Sequence, residues 1–187
     1  MKDNPVVKYS LTLFIITFVV GIVLSAVNLL TRDKIAAISA QQAEEAKAQV
    51  IESLNFDTLT DTAKQNVWTA VFDGDIVGYV VNEKPSGYGG EIDMYVGLDK
   101  DFTVTGVKIV SQSETAGLGA KADSEDFLGQ YNGKTKGVSY SKTSSGDNQV
   151  QALTGATITT DAVTRGVADA IEDASALETE EEAKNNE

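Results

Sequence analysis

The stretch "EIDMYVGLDKDFTVTGVKIV", residues 91–110, decides the fold. Ile92, Met94, Val96 and Leu98 alternate with their neighbours, so 91–98 reads as a strand with one buried face. Asp99-Lys100-Asp101 reads as a turn, and a second strand follows over 102–110. Its apolar positions are Phe102 and Val104, then Val107 and Ile109. The phase flips at Gly106, which predicts a β-bulge. Upstream, residues 67–82 read as a hairpin around Asp73-Gly74-Asp75. A loop dense in Gly and Pro, "NEKPSGYGGEI" (82–92), joins the two pairs. Together these segments predict an antiparallel sheet built of meanders.

Outward from the sheet the pattern changes. Residues 111–149 are polar and irregular, with a short helix expected near 124–131 and a surface loop over 141–149. Val163, Val167, Ala170, Ile171 and Ala174 then mark one face of a helix. The final "ETEEEAKNNE" (178–187) has the composition of a disordered, solvated acidic tail. Toward the N-terminus, 31–54 reads as a helix capped by Thr31, with Ile35, Ile38, Ala43, Ala46, Val50 and Leu54 on one broad face. Its apolar positions keep no heptad, which favours a docking stalk over a coiled coil.

Residues 9–30, "YSLTLFIITFVVGIVLSAVNLL", carry no charge over 22 residues. A helix needs about 20 such residues to span a bilayer. A cleaved signal peptide has a shorter apolar core, and Leu24 is too large for the small-residue cleavage pattern. A retained span is therefore expected. Basic residues flank both ends (Lys2 and Lys8, Arg32 and Lys34), so charge does not orient it.

Composition removes several chemistries. The 187 residues carry a net charge of −13, which repels phosphate backbones and argues against nucleic acid as a partner. There is no Cys, hence no disulfide, iron–sulfur cluster or cysteinyl flavin link. There is no His, the commonest general base and metal ligand. No metal site is expected.

Two motifs remain. In "ALTGATITTDAV" (152–163), Thr159 or Thr160 suits a helix N-cap, with Asp161 in the first turn. A cap accounts for one threonine and leaves the others. The free amides of a helix start also form an anion site. Thr157 would lie beside it, and small Gly155 and Ala156 would let a bulky group approach the backbone. In "SETAGLGAK" (113–121), two glycines flank Leu118 in a loop after a strand. This is either a connecting turn or a backbone shelf against a flat ring. It lacks the context of a Rossmann or P-loop site.

These residues carry a resemblance. "LTGATITTDAV" resembles the S/T-G-A-T signature of the FMN-binding domain found in the G subunit of the Rnf complex and the C subunit of the sodium-pumping NADH:quinone reductase. "SETAGLG" is similar to that family's E-T-P-G-L-G motif, with Ala116 in place of the usual Pro. "SGYGGEIDMYVGLD" resembles its G-Y-x-G-x-I segment. Their order and spacing match, as does a single N-terminal span followed by a helix.

The resemblance implies an α+β fold: one N-terminal transmembrane helix, then an antiparallel-sheet FMN-binding domain with flanking helices. The implied organisation is a cytoplasmic N-terminus (1–8), span (9–30), helical stalk (31–60), FMN domain (61–177) and acidic tail (178–187). Thr157 would carry FMN through a phosphodiester bond, made outside the cytoplasm by a flavin transferase that takes FMN from FAD. Glu114, Thr115, Gly117, Leu118 and Gly119 would line the ring or ribityl region. Leu153, Thr154, Gly155, Ala156 and Thr160 would shape the attachment turn. Tyr88 and Gly89 would close one side, and Lys121 would pair with phosphate or sit solvated on the surface. The implied activity is electron relay between ferredoxin and NAD, coupled to sodium-ion or proton pumping. The chain would do no catalysis alone, with other redox subunits and the bilayer as partners and the domain on the outer face. The alternatives are the quinone-reductase C subunit and a flavin-free extracytoplasmic binding or scaffold domain.

Overall fold

A computed structural model describes residues 5–143 and 146–185. The first four residues of the expected cytoplasmic N-terminus and the last two of the expected tail lie outside them. The chain divides into two units, Met1–Gln41 and Gln42–Glu187.

Helix α1 runs over Pro5–Val50 without a break. The expected start at Thr31 is corrected: the Thr31 hydroxyl donates to the Val27 carbonyl at 2.8 Å, inside the helix. After Pro5 the helix holds no further proline and a single glycine, so nothing interrupts the ladder. Thr12 and Thr17 likewise donate to the carbonyls of Lys8 and Leu13. Such back-bonding satisfies a hydroxyl where no water is at hand. The apolar side chains from Val6 to Leu30 are exposed. Among the described residues this is the one helix long and apolar enough to cross a membrane.

In the second unit, strands β1 (Thr58–Asp61), β2 (Val67–Phe72), β3 (Asp75–Glu83), β4 (Asp93–Asp99) and β5 (Val104–Ser111) form one sheet in that order. All neighbours are antiparallel. The β2–β3 hairpin turns at Asp73 (φ 52°) and Gly74 (φ 91°), the left-handed pair that matches the twist of a two-residue loop. Strand β1 straddles the end of the segment read as stalk (31–60); "TLTD" has too little apolar alternation to announce it. Phe102 lies in the turn before β5, not in the strand, because Asp99 Oδ1 accepts from the amides of Asp101 and Thr103 and tightens the reversal. The register slips where Gly97 faces Gly106 and Leu98 faces Val104, so the extra residue is Thr105, beside the expected Gly106.

The expectation of a half-buried β4 is corrected as well. Met94 to Leu98 are all buried, because both faces of the sheet are covered. Met94, Val96 and Leu98 pack with Tyr79, Val81 and the face of helix α3 (Thr157–Asn185) formed by Val163, Val167, Ala170, Ile171 and Ala174. Tyr95 and Val80 point the other way, onto Ala46, Val50 and Ile51. Glycines allow that second contact: a Cβ at Gly97 or Gly106 would run into the Val50 backbone. The Thr105 hydroxyl donates to the Val50 carbonyl at 2.6 Å.

The connection from β5 to α3 holds a 3-10 turn (Gly119–Asp123), helix α2 (Glu125–Leu128) and a second 3-10 turn (Gly129–Tyr131). Strands β6 (Ser139–Ser141) and β7 (Gln149–Gln151) pair in parallel, so the expected 141–149 loop ends in a strand. Helix α3 continues to Asn185 through most of the segment expected to be disordered. Glu, Ala and Lys there are good helix formers, and the packed turns before them supply the nucleus.

Glu83, at the end of β3, packs toward α3. Burial, with Asp173 and Asp169 nearby, raises its carboxyl from 4.5 to about 7, against the opposing Asn66 hydrogen bond and Lys64. A group raised in the folded state contributes stability below its unfolded pKa and loses it as pH rises through the folded one. Glu83→Gln should therefore raise the urea midpoint at pH 8 and change it little near pH 4.5, read from Trp68, the sole tryptophan. A lower midpoint at pH 8 would contradict this account.

Candidate functional site

The turn after β7 is built by Thr160 and Gly155. Gly155 takes φ +77°, which a side chain would strain. The Thr160 hydroxyl donates to the Ala156 carbonyl (3.0 Å) and accepts from the Leu153 amide (3.1 Å). Thr164 donates to the Thr160 carbonyl, and its hydroxyl also bonds the buried Tyr131 hydroxyl at 2.9 Å. Helix α3 consequently opens at Thr157. This corrects the capping expectation: Thr159 and Thr160 lie within the helix, and neither caps it. Asp161 is beyond the first turn and pairs with Arg165 at 2.9 Å. Among the described residues the Thr157 hydroxyl has no hydrogen-bond partner.

The second motif wraps the same helix start. Amides of Leu118 and Ala120 donate to the Thr115 carbonyl, and Gly117 takes φ +77°. Gly119 is buried against α3: a Cβ there would lie 2.7 Å from Thr159 Oγ1 and 2.8 Å from Glu114 Oε2. Glu114 is 8% exposed. Its Oε1 accepts from the Gly89 amide (2.8 Å) and its Oε2 from the Thr159 hydroxyl (2.5 Å). The 85–92 loop is closed by Gly87 N–H to Gly90 O and Ile92 N–H to Pro85 O.

These segments enclose a cleft of about 540 Å³. Tyr88, Glu114, Thr115, Leu118, Gly119, Gly155, Ala156 and Thr157 all line it. Gly89, Gly117 and Thr160 do not line it: Gly89 bonds the lining residue Glu114, Thr160 bonds the turn before Thr157, and Gly117 shapes the loop between Thr115 and Leu118. The structure does not bring Lys121, Leu153 or Thr154 to the cleft; they line a separate groove of about 310 Å³ with Gln130 and Gln151. Lys121 is carried there by the 3-10 turn. Two lining residues escape the sequence reading: Ile158 and Thr159. Ile158 was detectable as an apolar residue off the Val163–Val167–Ala170 face. Thr159 was not, because its partner is 45 residues away. Tyr88 (71%), Leu118 (46%) and Ile158 (55%) expose apolar surface at the cleft. Beyond α1, Phe72 and Ile76 are the other large apolar side chains so exposed among the described residues. A slightly larger groove, about 580 Å³, runs along β5 and the end of α1. It is lined by polar groups such as Gln49, Lys108 and Glu125 and holds none of the expected site residues.

A sheet, a helix start and two glycine loops meet around one cleft, and comparison with known proteins gives its class, a cofactor-binding domain. A family model described as FMN-binding domain matches residues 87–172, and one described as RnfG N-terminal region matches 1–50. The chain is 35% identical to the G subunit of the proton-translocating ferredoxin:NAD(+) oxidoreductase complex of Clostridium ljungdahlii, covering 91% of this chain and 93% of the relative. It is 33% identical to the G subunit of the Na(+)-translocating counterpart of Acetobacterium woodii, covering 87% and 88%. The solved C subunit of the Na(+)-translocating NADH-quinone reductase of Parabacteroides distasonis shares the fold, with TM-score 0.55 and 20% identity over 71% of this chain and 89% of that one. The chain belongs to the family of the Rnf G subunits, components of the ion-translocating ferredoxin:NAD(+) oxidoreductase.

Thr160→Val should test the turn. It removes the acceptor of the part-buried Leu153 amide, at a cost of about 1 kcal/mol. The expected outcome is a lower thermal midpoint, with α3 still helical by circular dichroism.

Proposed function

We propose that this chain is the membrane-anchored, electron-carrying subunit of a Rnf-type complex and that Thr157 holds its FMN as a phosphodiester. The observation that carries this reading is the Thr157 hydroxyl, unpaired and opening onto the cleft at the first residue of α3. The cleft has the volume of a small-molecule site. The free amides of the first helical turn suit an esterified phosphate. Tyr88, Leu118 and Ile158 offer apolar surface for a flat ring. Gly155 leaves the backbone open to close approach. The family match over 87–172 falls within the flavin domain expected over 61–177.

Maturation would form a bond from Thr157 Oγ1 to phosphorus. The pyrophosphate bond of FAD breaks, and AMP leaves. FMN, once bound, supplies the electron-carrying chemistry. The protein's own residues anchor it, shape its bed and keep it beside the helix start. A chain with neither Cys nor His can still hold a flavin covalently in this way. One relative is named for protons and the other for sodium ions, and the complex would move one of these two. The soluble domain would lie on the extracytoplasmic side, with redox subunits of the complex as partners.

The chain purified after co-expression with an active flavin transferase should give a yellow-green band under ultraviolet light on a denaturing gel. Thr157→Ala should abolish it. A dark wild-type band would sink the flavin reading. Topology has an equally direct check, because the native chain has no cysteine. Lys100→Cys, at an exposed turn, should react with an impermeant maleimide in intact cells if the domain faces outward. Labelling only after lysis would place the domain inside.

A further inference from the structure

Glu114 is a carboxylate in an unusual position. It reaches the cleft, yet it is nearly buried, and among the described residues no Lys or Arg pairs with it. Its two oxygens are engaged by two different segments, the Gly89 amide and the Thr159 hydroxyl. Glu114 thereby ties the 85–92 loop, its own loop and the first turn of α3 together. Glycines surround it: a Cβ at Gly87 would overlap Oε1, and one at Gly119 would crowd Oε2.

Burying a carboxylate without a cation is costly, and two hydrogen bonds offset only part of that cost. A glutamine could make the same two contacts, accepting from Gly89 and donating to Thr159. The latch therefore does not require the charge. In a partly enclosed cleft a charge is weakly screened, so its field acts on whatever lies there. Adding electrons beside a negative charge is disfavoured.

We propose that Glu114 is a positioning residue that latches the Thr157-bearing turn through Thr159, and that its charge makes the bound flavin harder to reduce. This rests on the flavin reading above. Thr159 transmits the latch to the residue two positions before it, and Glu114 lines the same cleft.

The test uses the full chain, co-expressed with flavin transferase and purified in detergent. Wild type, Glu114→Gln, Thr159→Val and Thr159→Ser are compared by gel fluorescence, thermal midpoint and flavin midpoint potential from a dye-equilibrated reductive titration. Glu114→Gln should stay folded and fluorescent, with its midpoint potential shifted upward. Thr159→Val keeps the charge but breaks the latch, so flavin loading should fall several-fold and the thermal midpoint should drop. Thr159→Ser restores the hydroxyl and should restore loading. An unshifted or lower potential in Glu114→Gln overturns the charge role. Loss of fold in Glu114→Gln overturns the claim that the latch does not need the charge. Wild-type loading in Thr159→Val overturns the latch. These outcomes are distinct from a dark wild-type band, which overturns the flavin reading itself.

Discussion

The hydrogen bond between Thr159 and Glu114 joins residues 45 apart, both of which line the cleft. It adds to the apolar anchors of the two segments, Ala122 and Phe127 on one side and Ala162 and Val163 on the other, and to the Tyr131–Thr164 bond. Oε1 extends the tie to Gly89, so one side chain contacts all three walls. The glycines at 87 and 119 are then a packing requirement: any side chain would displace the carboxylate. A neighbouring clamp at Thr160 fixes the turn that presents Thr157. Adjacent threonines, Thr159 and Thr160, thus face opposite partners and hold two different loops.

The sheet beneath the site is held by separate contacts. Strand β4 is covered on both faces, by α3 on one and by the last turns of α1 on the other. Close approach at Gly97 and Gly106 lets the Val50 backbone touch the strands. Lys47 lies over the Trp68 ring at 3.9 Å from its centroid, and Trp68 contacts Tyr95. Cation–π contacts of this kind are worth about 0.5–2 kcal/mol and hold a cation against an otherwise apolar face. The end of α1 is therefore a component of the folded domain.

Much of this was legible in the chain itself. The alternation of Met94, Val96 and Leu98 marks β4, and Asp73-Gly74 marks the hairpin. The α3 core face at Val163, Val167, Ala170, Ile171 and Ala174 is buried as its period implies. What failed was local reasoning at boundaries. Thr31 looks like a cap because cap residues and back-bonding threonines are the same residue types. Thr159 and Thr160 mislead in the same way. Strands β1, β6 and β7 are three or four residues long, too short for a period to show.

The sequence by itself determined the apolar span, the antiparallel sheet, the amphipathic α3 and the two loops that contain the site. These rest on spacing along the chain, where period and turn chemistry act locally. Only the tertiary structure decided how the threonines of 157–160 are engaged. A hydroxyl is open or engaged according to partners distant in sequence: Glu114 takes Thr159, the Leu153–Ala156 turn takes Thr160, and Thr157 is left facing the cleft.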